Sequence, residues 1–362
     1  MLNVENESPL SKDIMRVKSF FPIYACKQVS ATAIGLYFIC STFTFLTMDK
    51  RAYGRKPPSL RSKNLTSSIE VEPFQESLVD INETVFFLET QESLDELDRS
   101  LMCAVESYHG ANPFDSIVVL INGGGSIPIV PDYLKDVSQI QFRHLSFAHF
   151  LEASPLGELW NSPKWKETIY PLNHMSDLLR VVILHKFGGT YIDSDLIALK
   201  AFPRLANNNV IVGVETEKVG SAYMKFGKNH AFLEQAIVEL REHFDGSNWG
   251  ANGPLLLTRV ATQKCGPLKI ESTGQKCNDF EILPSYFTYP FKARDWKTFF
   301  DSSQQQTVRE KTAHSYMVHY FSGMRRKEGL DPSPLDPELP LHQLYQAHCP
   351  KTWNHFKATV SE

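Results

Sequence analysis

The stretch NHMSDLLRVVILHKFGGTYIDSDLIALK, residues 173–200, decides the fold of this chain. Its first half is strongly apolar over 175–186 and is followed directly by Gly188-Gly189, which predicts a helix that ends at a glycine. Its second half predicts a strand over 191–199 because apolar residues dominate it. A buried helix followed at once by a strand is one unit of an α/β domain.

The same alternation of patterns continues on both sides of this stretch. Short apolar runs predict further strands, at 85–88, 117–121, 140–145 and 210–214. Helical spacing of apolar residues predicts helices over 93–108 and 148–160. The sequence therefore predicts an α/β fold with a mostly parallel central sheet, in which ligands bind beyond the carboxyl ends of the strands. The glycine run at 123–125 lacks the spacing of a dinucleotide-binding loop and is interpreted as a turn.

Charge and composition exclude some classes of partner. The 362 residues include 37 Lys and Arg against 41 Asp and Glu, a formal net charge of −4. A chain so close to neutrality has no overall basic field, so we expect no nucleic-acid partner. Hydrophobic residues make up 42% and charged residues 22%, which predicts a folded core rather than disorder.

An uncharged run of 21 residues, 28–48, lies between Lys27 and the charged triplet 49–51. About 20 helical residues cross the hydrocarbon of a bilayer, whereas a cleaved signal peptide has an apolar core of only about 7–15. The run therefore predicts an uncleaved transmembrane signal-anchor after a cytoplasmic tail over 1–27. A stretch rich in Arg, Lys, Ser and Pro predicts a stem over 49–80, and the folded domain is expected over 81–362.

The side of the membrane on which the domain lies follows from two further features. Basic residues flank the run on both sides and lean weakly against a lumenal domain. However, Asn64 and Asn82 begin Asn-x-Thr acceptors for N-glycosylation, and four cysteines follow the run, an even set suited to an oxidising compartment. We therefore expect a single-pass type II membrane protein with a lumenal domain.

Four cysteines allow three pairings. Cys265 and Cys277 lie close together in a loop that contains Gly and Ser, and we expect them to pair. Cys103 and Cys349 are then left to form the second disulfide.

Asp193-Ser194-Asp195 is the only D-x-D in the chain. On a strand, residues i and i+2 point to one face, so we expect both carboxylates to converge. Adjacent carboxylates need a neutralising cation, and hard oxygen ligands suit Mg²⁺ or Mn²⁺ held together with substrate phosphates. Asp177 and Arg180 share a face of the preceding helix, where they could contact a sugar and a diphosphate; a surface salt bridge is the alternative.

Ser176-Asp177-x-x-Arg180, followed by Gly188-Gly189-x-Tyr191-x-Asp193-x-Asp195, resembles the signature of D-x-D sugar-nucleotide glycosyltransferases. Within that group, the chain is similar to the alpha-1,4-glycosyltransferase family over about residues 85–350. The resemblance implies a GT-A-like nucleotide-sugar-binding domain. It also implies a retaining enzyme of the Golgi membrane. That enzyme would move galactose or N-acetylgalactosamine from a UDP-sugar to a glycosphingolipid or other glycan acceptor in α-1,4 linkage.

The resemblance also implies roles for individual residues. Asp193 and Asp195 would hold Mn²⁺, with His319 on a late strand as a further ligand; a hydrogen-bonded core histidine is the alternative for His319. The donor-binding residues would be Phe87, Glu89, Thr90, Asp177, Arg180, Tyr191 and Asp193. Asn252 would join Asp193 and Asp195 as a catalytic residue. It lies in Gly-Ala-Asn-Gly-Pro, 250–254, where galactosyltransferase relatives have Gly-His-Gln-Gly-Pro.

Three further points remain open at this level. Glu215 and Glu217 follow a predicted strand and are candidate nucleophiles, although a solvated turn is the stronger interpretation of both. The basic residues at 325–327 could close over UDP or form a solvated turn. A D-x-D phosphotransferase and a non-catalytic lumenal sugar-binding protein are the alternative functions. The phosphotransferase class expects Thr or Val where Ile197 stands.

Overall fold

The structure is a computed structural model of the chain, and it describes residues 71–92, 94–123, 128–203, 205, 209–215, 217–328 and 336–360. The predicted tail, the anchor run 28–48, the acceptor Asn64 and most of the stem lie outside these residues. Within the part of the chain that the structure describes, no helix has the length and apolarity that a membrane crossing requires.

The described residues form ten strands and twelve α-helices. The strands are β1 (Val85–Glu89), β2 (Ile117–Asn122), β3 (Ile140–Leu145), β4 (Gly189–Ile192), β5 (Leu196–Ala198), β6 (Val210–Glu215), β7 (Lys218–Phe226), β8 (Gln275–Lys276), β9 (Glu281–Leu283) and β10 (Met317–His319). The helices are α1 (Arg99–Ala111), α2 (Asp132–Lys135), α3 (Phe147–Glu152), α4 (Gly157–Trp160), α5 (Pro163–Lys166), α6 (Pro171–Phe187), α7 (Ala231–His243), α8 (Pro254–Cys265), α9 (Gln305–Thr312), α10 (Ser322–Lys327), α11 (Pro340–His348) and α12 (Pro350–Val360).

Eight of these strands form the main sheet, in the order β3-β2-β1-β4-β7-β6-β9-β8. The strands β1 to β4, β6 and β9 run in one direction, and β7 and β8 run in the other. The predicted α/β class with a mostly parallel sheet is therefore confirmed. The antiparallel strand β7 lies beside β4, at the point where the D-x-D follows.

The main sheet is covered on both faces. Successive side chains of β1 enter two different cores, with Val85 and Phe87 in one and Phe86 and Leu88 in the other. This alternation is the period of a strand, and burial on both faces is typical of parallel strands that are flanked by helices. Helix α6 packs into the same core as Phe86, which fixes its position relative to β4.

The predicted single strand over 191–199 is wrong. The segment divides into β4, in the main sheet, and β5, which pairs with β10 in a separate two-stranded sheet. Residues 193–195 form the turn between them, in which the Leu196 N–H donates to the Asp193 carbonyl at 3.2 Å. The turn gives each carboxylate its own set of partners, whereas strand alternation would have placed the two side by side.

Two predicted helices have different boundaries from those expected. The helix predicted over 148–160 is two short helices, α3 and α4, because Pro155 removes a backbone donor and Ser154 bonds to the Leu156 N–H instead. The helix predicted over 93–108 begins at Arg99, where the Asp98 side chain caps it by accepting from the Ser100 N–H.

Both expected disulfides are confirmed. Cys103 in α1 joins Cys349, which lies between α11 and α12, and Cys265 joins Cys277. The first disulfide therefore fastens the C-terminal helices to the first helix of the domain. Part of the predicted stem also contacts the domain, because the Phe74 N–H donates to the His144 carbonyl of β3.

Candidate active site

The D-x-D turn leaves the carboxyl end of β4, in the middle of the main sheet. The Asp193 N–H donates to the Ala222 carbonyl of β7 at 2.8 Å, which fixes the start of the turn. Strand β10 then brings His319 alongside Leu196. As a result, ligand atoms of Asp193, Asp195 and His319 all lie within 4.8 Å of one another.

Asp195 is held from two sides by the segment that follows β10. His319 Nε2 lies 3.0 Å from Asp195 Oδ1, and the Ser322 N–H donates to Asp195 Oδ2 at 2.8 Å. Between these two residues, Phe321 has a φ of 55°, a left-handed conformation that is uncommon for a bulky residue. This conformation turns the chain so that both the imidazole and the N–H of Ser322 meet one carboxylate. Strain of this kind persists where the surrounding structure demands it.

These three residues fit a divalent cation. Two carboxylates and one imidazole are a donor set that Mn²⁺ accepts, and three protein ligands leave positions for phosphate oxygens. The Nε2 atom of His319 faces the carboxylates, and its buried Nδ1 has no hydrogen-bond partner. Burial lowers the pKa of the His319 imidazole, but the carboxylates, Asp195 first, raise it by more, so the pKa lies above its ordinary value. A neutral imidazole can ligate a cation through Nε2, whereas a protonated one pairs with Asp195, so this position fits both interpretations of His319.

Arg180 of α6 is bonded to protein groups on every side. Its Nε and one terminal nitrogen donate to the carbonyl and hydroxyl of Ser176, at 3.0 and 2.8 Å. The other terminal nitrogen donates to the Ser221 carbonyl at 2.8 Å and lies 3.4 Å from Asp193 Oδ2. The guanidinium is 4% exposed and packs 4.5 Å from the centre of the Tyr191 ring. In this arrangement Arg180 positions Asp193, and its direct contact with a diphosphate stays a prediction.

Tyr191 acts on the same carboxylate. Its hydroxyl donates to Asp193 Oδ1 at 2.9 Å and lies 3.1 Å from the Ser176 hydroxyl. Its ring is fully buried below the turn. Tyr191 therefore supports the Asp193 carboxylate, and its place in the donor pocket stays a prediction.

Asp177 is a buried carboxyl group beside this network. One oxygen lies 3.5 Å from Arg180, and the side chain is almost fully enclosed. Burial raises the pKa of Asp177 to about 7; the charge of Arg180 opposes this shift, and the charge of Asp193 adds to it. Gly253, which immediately precedes α8, packs against the same group: a Cβ at Gly253 would lie 2.4 Å from Asp177 Oδ1. Only a glycine lets this backbone approach the carboxyl so closely.

Asn252 has a different environment from the one expected of a catalytic residue. Its side chain is 1% exposed, and both amide atoms are bonded to the backbone of Asp245. The carbonyl oxygen accepts from the Asp245 N–H at 3.0 Å, and the amide nitrogen donates to the Asp245 carbonyl at 2.8 Å. Asn252 therefore closes the loop over 245–252, and its catalytic role stays a prediction.

The donor residues predicted on β1 divide into two groups. Phe87 is fully buried in the core. Glu89 and Thr90 lie at the carboxyl end of the strand, where Glu89 accepts from the Gln91 N–H at 2.9 Å and the Thr90 carbonyl accepts from Asn122 at 3.3 Å. Because β1 lies parallel beside β4, Glu89 and Thr90 lie at the same end of the sheet as the D-x-D. Phe87 instead packs in the core and supports the strand.

The remaining candidates are Glu215, Glu217 and the basic segment 325–327. Glu215 is ion-paired with Lys218 at 3.4 Å and with Lys292 at 3.9 Å, and Glu217 is exposed in the β6–β7 turn. This agrees with the solvated-turn interpretation of Glu217, whereas Glu215 is the last residue of β6. The basic segment 325–327 belongs to α10, whose first residue, Ser322, holds Asp195.

Sequence reasoning missed the residues that orient the D-x-D. Ser221 receives Arg180, Ser322 holds Asp195, and the Thr288 carbonyl accepts from the His319 N–H at 3.0 Å. A lone serine on a strand carries no distinctive spacing. The contact of Arg180 with Ser221 depends on β7 running antiparallel beside β4, which the chain order does not reveal.

Two family models match this chain. The alpha 1,4-glycosyltransferase conserved region matches residues 225–356, which contain His319 and the loop before α8. The glycosyltransferase sugar-binding region containing the DXD motif matches residues 98–213, which contain Asp177, Arg180 and the D-x-D turn. The chain is therefore similar to the alpha-1,4-glycosyltransferase family over one region and to the DXD sugar-binding family over another. It is a glycosyltransferase, and both matched regions contain residues of the site described above.

Three named glycosyltransferases are similar to this chain. The chain is 29% identical to lactosylceramide 4-alpha-galactosyltransferase of Rattus norvegicus over 278 residues, which cover 74% of each chain. It is 25% identical to alpha-1,4-N-acetylglucosaminyltransferase of Homo sapiens over 290 residues, 77% of this chain and 82% of the relative. Among solved structures, PaToxG glycosyltransferase matches 76% of this chain and 87% of its own at 14% identity, with a TM-score of 0.39.

Proposed function

We propose that this glycosyltransferase moves galactose or N-acetylgalactosamine from a UDP-sugar to a glycolipid acceptor in α-1,4 linkage. We propose further that it retains the anomeric configuration, depends on Mn²⁺ and uses a GT-A-like domain. The observation that carries the proposal is the cluster of Asp193, Asp195 and His319 at the carboxyl end of β4. The match to the sugar-binding region with the DXD motif supports it, as does the named activity of the rat relative.

The residues of the site are arranged to bind a metal-diphosphate in fixed geometry. Asp193, Asp195 and His319 would hold the cation, which when bound stabilises the negative charge that develops on the departing UDP. Arg180 and Tyr191 keep the Asp193 carboxylate in place. The Ser322 N–H does the same for Asp195. Groups that are already oriented before the reaction do not have to reorganise during it. This preorganisation is the usual source of electrostatic catalysis.

Asp177 is the group we propose to contact the donor sugar. It lies beside Arg180 on the helix that supports the D-x-D, and its pKa of about 7 allows it to donate or accept a hydrogen bond near neutral pH. Glu215, by contrast, is ion-paired with two lysines. We therefore favour attack of the acceptor on the same face from which UDP leaves over a covalent intermediate on Glu215.

The donor sugar requires a direct test, because the relatives carry two names. One is a galactosyltransferase and the other an N-acetylglucosaminyltransferase. The segment 250–254 adjoins Asp177 and differs from the sequence of galactosyltransferase relatives. UDP-N-acetylglucosamine therefore belongs in the donor panel beside UDP-galactose and UDP-N-acetylgalactosamine.

The experiment is a transfer assay with the full-length protein in detergent. Each labelled UDP-sugar is offered with lactosylceramide as the glycolipid acceptor, in Mn²⁺ or in EDTA, and the product linkage is read by NMR. We expect transfer in Mn²⁺ and a loss of at least about 100-fold in EDTA and in Asp195→Asn. Asp132→Asn is the matched control, because Asp132 is an exposed carboxylate on α2. Full turnover in EDTA contradicts the proposal.

We also propose that the protein is a single-pass type II protein of the Golgi membrane with its catalytic domain in the lumen. The uncharged run at 28–48 and the two disulfides support this placement. Peptide-N-glycosidase treatment should increase the gel mobility of protein made in animal cells, and the Asn64→Gln/Asn82→Gln variant should show no such shift. Release of the untreated protein by alkaline carbonate contradicts the anchor.

A further inference from the structure

We propose that Tyr289 is a positioning residue that sets Asp193 and His319 relative to each other. This inference rests on the proposed function and deepens it, because it names the side chain on which the geometry of the metal site depends. Tyr289 follows β9 in the chain and is buried. It acts through the two ligand residues rather than through contact with a substrate.

The ligand residues of the site come from two separate sheets. Asp193 follows β4 of the main sheet, whereas His319 ends β10, which pairs with β5 in the two-stranded sheet. Backbone pairing within each sheet therefore fixes Asp193 and His319 separately. Asp195 pairs with His319 directly, so Asp193 is the carboxylate that needs a further link to the imidazole.

The hydroxyl of Tyr289 contacts the part of β7 that holds Asp193. The Ala222 N–H donates to Tyr289 Oη at 2.9 Å. The carbonyl of the same peptide group is that of Ser221, and it accepts from Arg180, which lies 3.4 Å from Asp193 Oδ2. The following carbonyl, that of Ala222, accepts from the Asp193 N–H. The hydroxyl therefore steadies the segment of β7 that holds both the backbone and the carboxylate of Asp193.

The ring of Tyr289 contacts the other half of the site. Its centroid lies 5.4 Å from that of the His319 imidazole, at an interplanar angle of 44°. The carbonyl of the preceding residue, Thr288, accepts from the His319 N–H. A ligating histidine is usually oriented by a bond from its second ring nitrogen. His319 Nδ1 is buried and has no hydrogen-bond partner among the described residues, so ring packing orients the imidazole instead.

Gly220 of β7 shows how closely the phenol is enclosed. A Cβ at Gly220 would lie 2.2 Å from Tyr289 Oη, 2.4 Å from Cζ and 2.6 Å from Cε2. The strand therefore has room for the phenol because this position is a glycine. The ring is fixed between β7 on one side and His319 on the other. A side chain that positions ligands needs this kind of packing, which locks its own rotamer.

The test measures metal affinity apart from turnover. Mn²⁺ is titrated calorimetrically, with UDP present, into full-length wild type, Tyr289→Phe and Gly220→Ala. Tyr289→Phe removes one oxygen and should lower the Mn²⁺ affinity by about 10-fold, as is usual for residues that orient metal ligands. Gly220→Ala keeps the hydroxyl but displaces the phenol, and it should lower the affinity by at least as much.

The matched control is Tyr108→Phe. Tyr108 is also buried, and its hydroxyl donates to Asp115 at 2.7 Å. Asp115 precedes β2, at the amino end of that strand, whereas the D-x-D follows the carboxyl end of β4. Tyr108→Phe therefore removes one hydrogen bond of a buried tyrosine without touching the site. Its Mn²⁺ affinity should equal that of the wild type, and its Tm without metal should fall by about 2 °C, as in Tyr289→Phe.

A spectroscopic readout separates positioning from a general loss of stability. The EPR spectrum of bound Mn²⁺ depends on the symmetry of its ligands. With UDP present, the spectrum should differ from that of the wild type in Tyr289→Phe and match it in Tyr108→Phe. A merely structural role of Tyr289 would lower the Tm and leave the spectrum of the bound ion unchanged.

The outcomes distinguish this inference from the proposed function. A Mn²⁺ affinity of Tyr289→Phe within about 2-fold of wild type overturns the inference, and so does an equal loss of affinity in Tyr108→Phe. A wild type that binds no Mn²⁺ with UDP refutes the proposed metal site together with this inference. A wild type that binds Mn²⁺ as expected but transfers none of the three sugars refutes the proposed function alone.

Discussion

Because Gly253 packs against Asp177, we expect the substitution Gly253→Ala to lower both the stability and the activity of the protein. The new methyl carbon would lie 2.4 Å from Asp177 Oδ1, 2.9 Å from Cγ and 3.1 Å from Oδ2. Real Cβ atoms do not approach other atoms this closely, so either the carboxyl group or the start of α8 must move. Asp177 has little freedom to move because it is buried and lies 3.5 Å from Arg180.

The expected loss follows from the size of this clash. Forcing an extra carbon into a packed site destabilises a protein by about 1–3 kcal/mol. At about 2 °C per kcal/mol for a domain of this size, the Tm should fall by about 2–6 °C. Activity should fall more, by at least about 10-fold, since displacement of Asp177 disturbs the group proposed to contact the donor sugar.

The assay is thermal unfolding together with UDP-sugar turnover, measured beside a control from the same loop. Gly250→Ala is that control, because a Cβ there would meet only Pro254 Cγ at 3.8 Å and Leu255 Cγ at 4.0 Å, which are ordinary contacts. In an Asp177→Ala background, Gly253→Ala should lose less than about 0.5 kcal/mol of stability, because the clashing atoms are gone. A Gly253→Ala protein with wild-type Tm and turnover, or an equal loss in both backgrounds, refutes the reasoning.

Three further predictions concern other parts of the molecule. The pKa of Asp177 is about 7 in the folded protein against 3.8 ordinarily, so unfolding releases its proton between about pH 4 and 7 and stability falls as the pH rises through that window. Asp177→Asn should flatten that part of a plot of Tm against pH. His319→Ala should raise the Mn²⁺ concentration for half-maximal turnover by about 10-fold or more, measured by metal titration. Cys277→Ser should destabilise the domain by about 2–3 kcal/mol in urea unfolding, because the disulfide to Cys265 closes a short loop.

Local patterns in the sequence predicted most of the fold. The apolar run before Gly188-Gly189 predicts α6 and β4, because the signals for a helix end and for a short strand both lie in neighbouring residues. The disulfide between Cys265 and Cys277 was predictable for the same reason, and the second disulfide followed by elimination. The family resemblance identified the D-x-D and His319, which the structure brings together.

The contacts that orient the site could not be predicted because they join distant strands. Period-2 alternation cannot distinguish a D-x-D on a strand from one in a turn, so the split between β4 and β5 was missed. The partner of Arg180 is Ser221, on a strand inserted antiparallel beside β4, and no local spacing marks that pairing. The bonds of Asn252 to Asp245 could not be predicted either, because a polar residue in a motif can bond to its own loop instead of a ligand.

Cation binding by Asp193, Asp195 and His319 is the step on which the proposed function depends. It can be measured by calorimetric titration of Mn²⁺ into the full-length protein in the presence of UDP, which needs neither the acceptor nor turnover. We expect one Mn²⁺ per chain in the wild type and in Asp132→Asn, and a loss of affinity of at least about 100-fold in Asp195→Asn. Equal Mn²⁺ affinity in wild type and Asp195→Asn would contradict the proposed metal site.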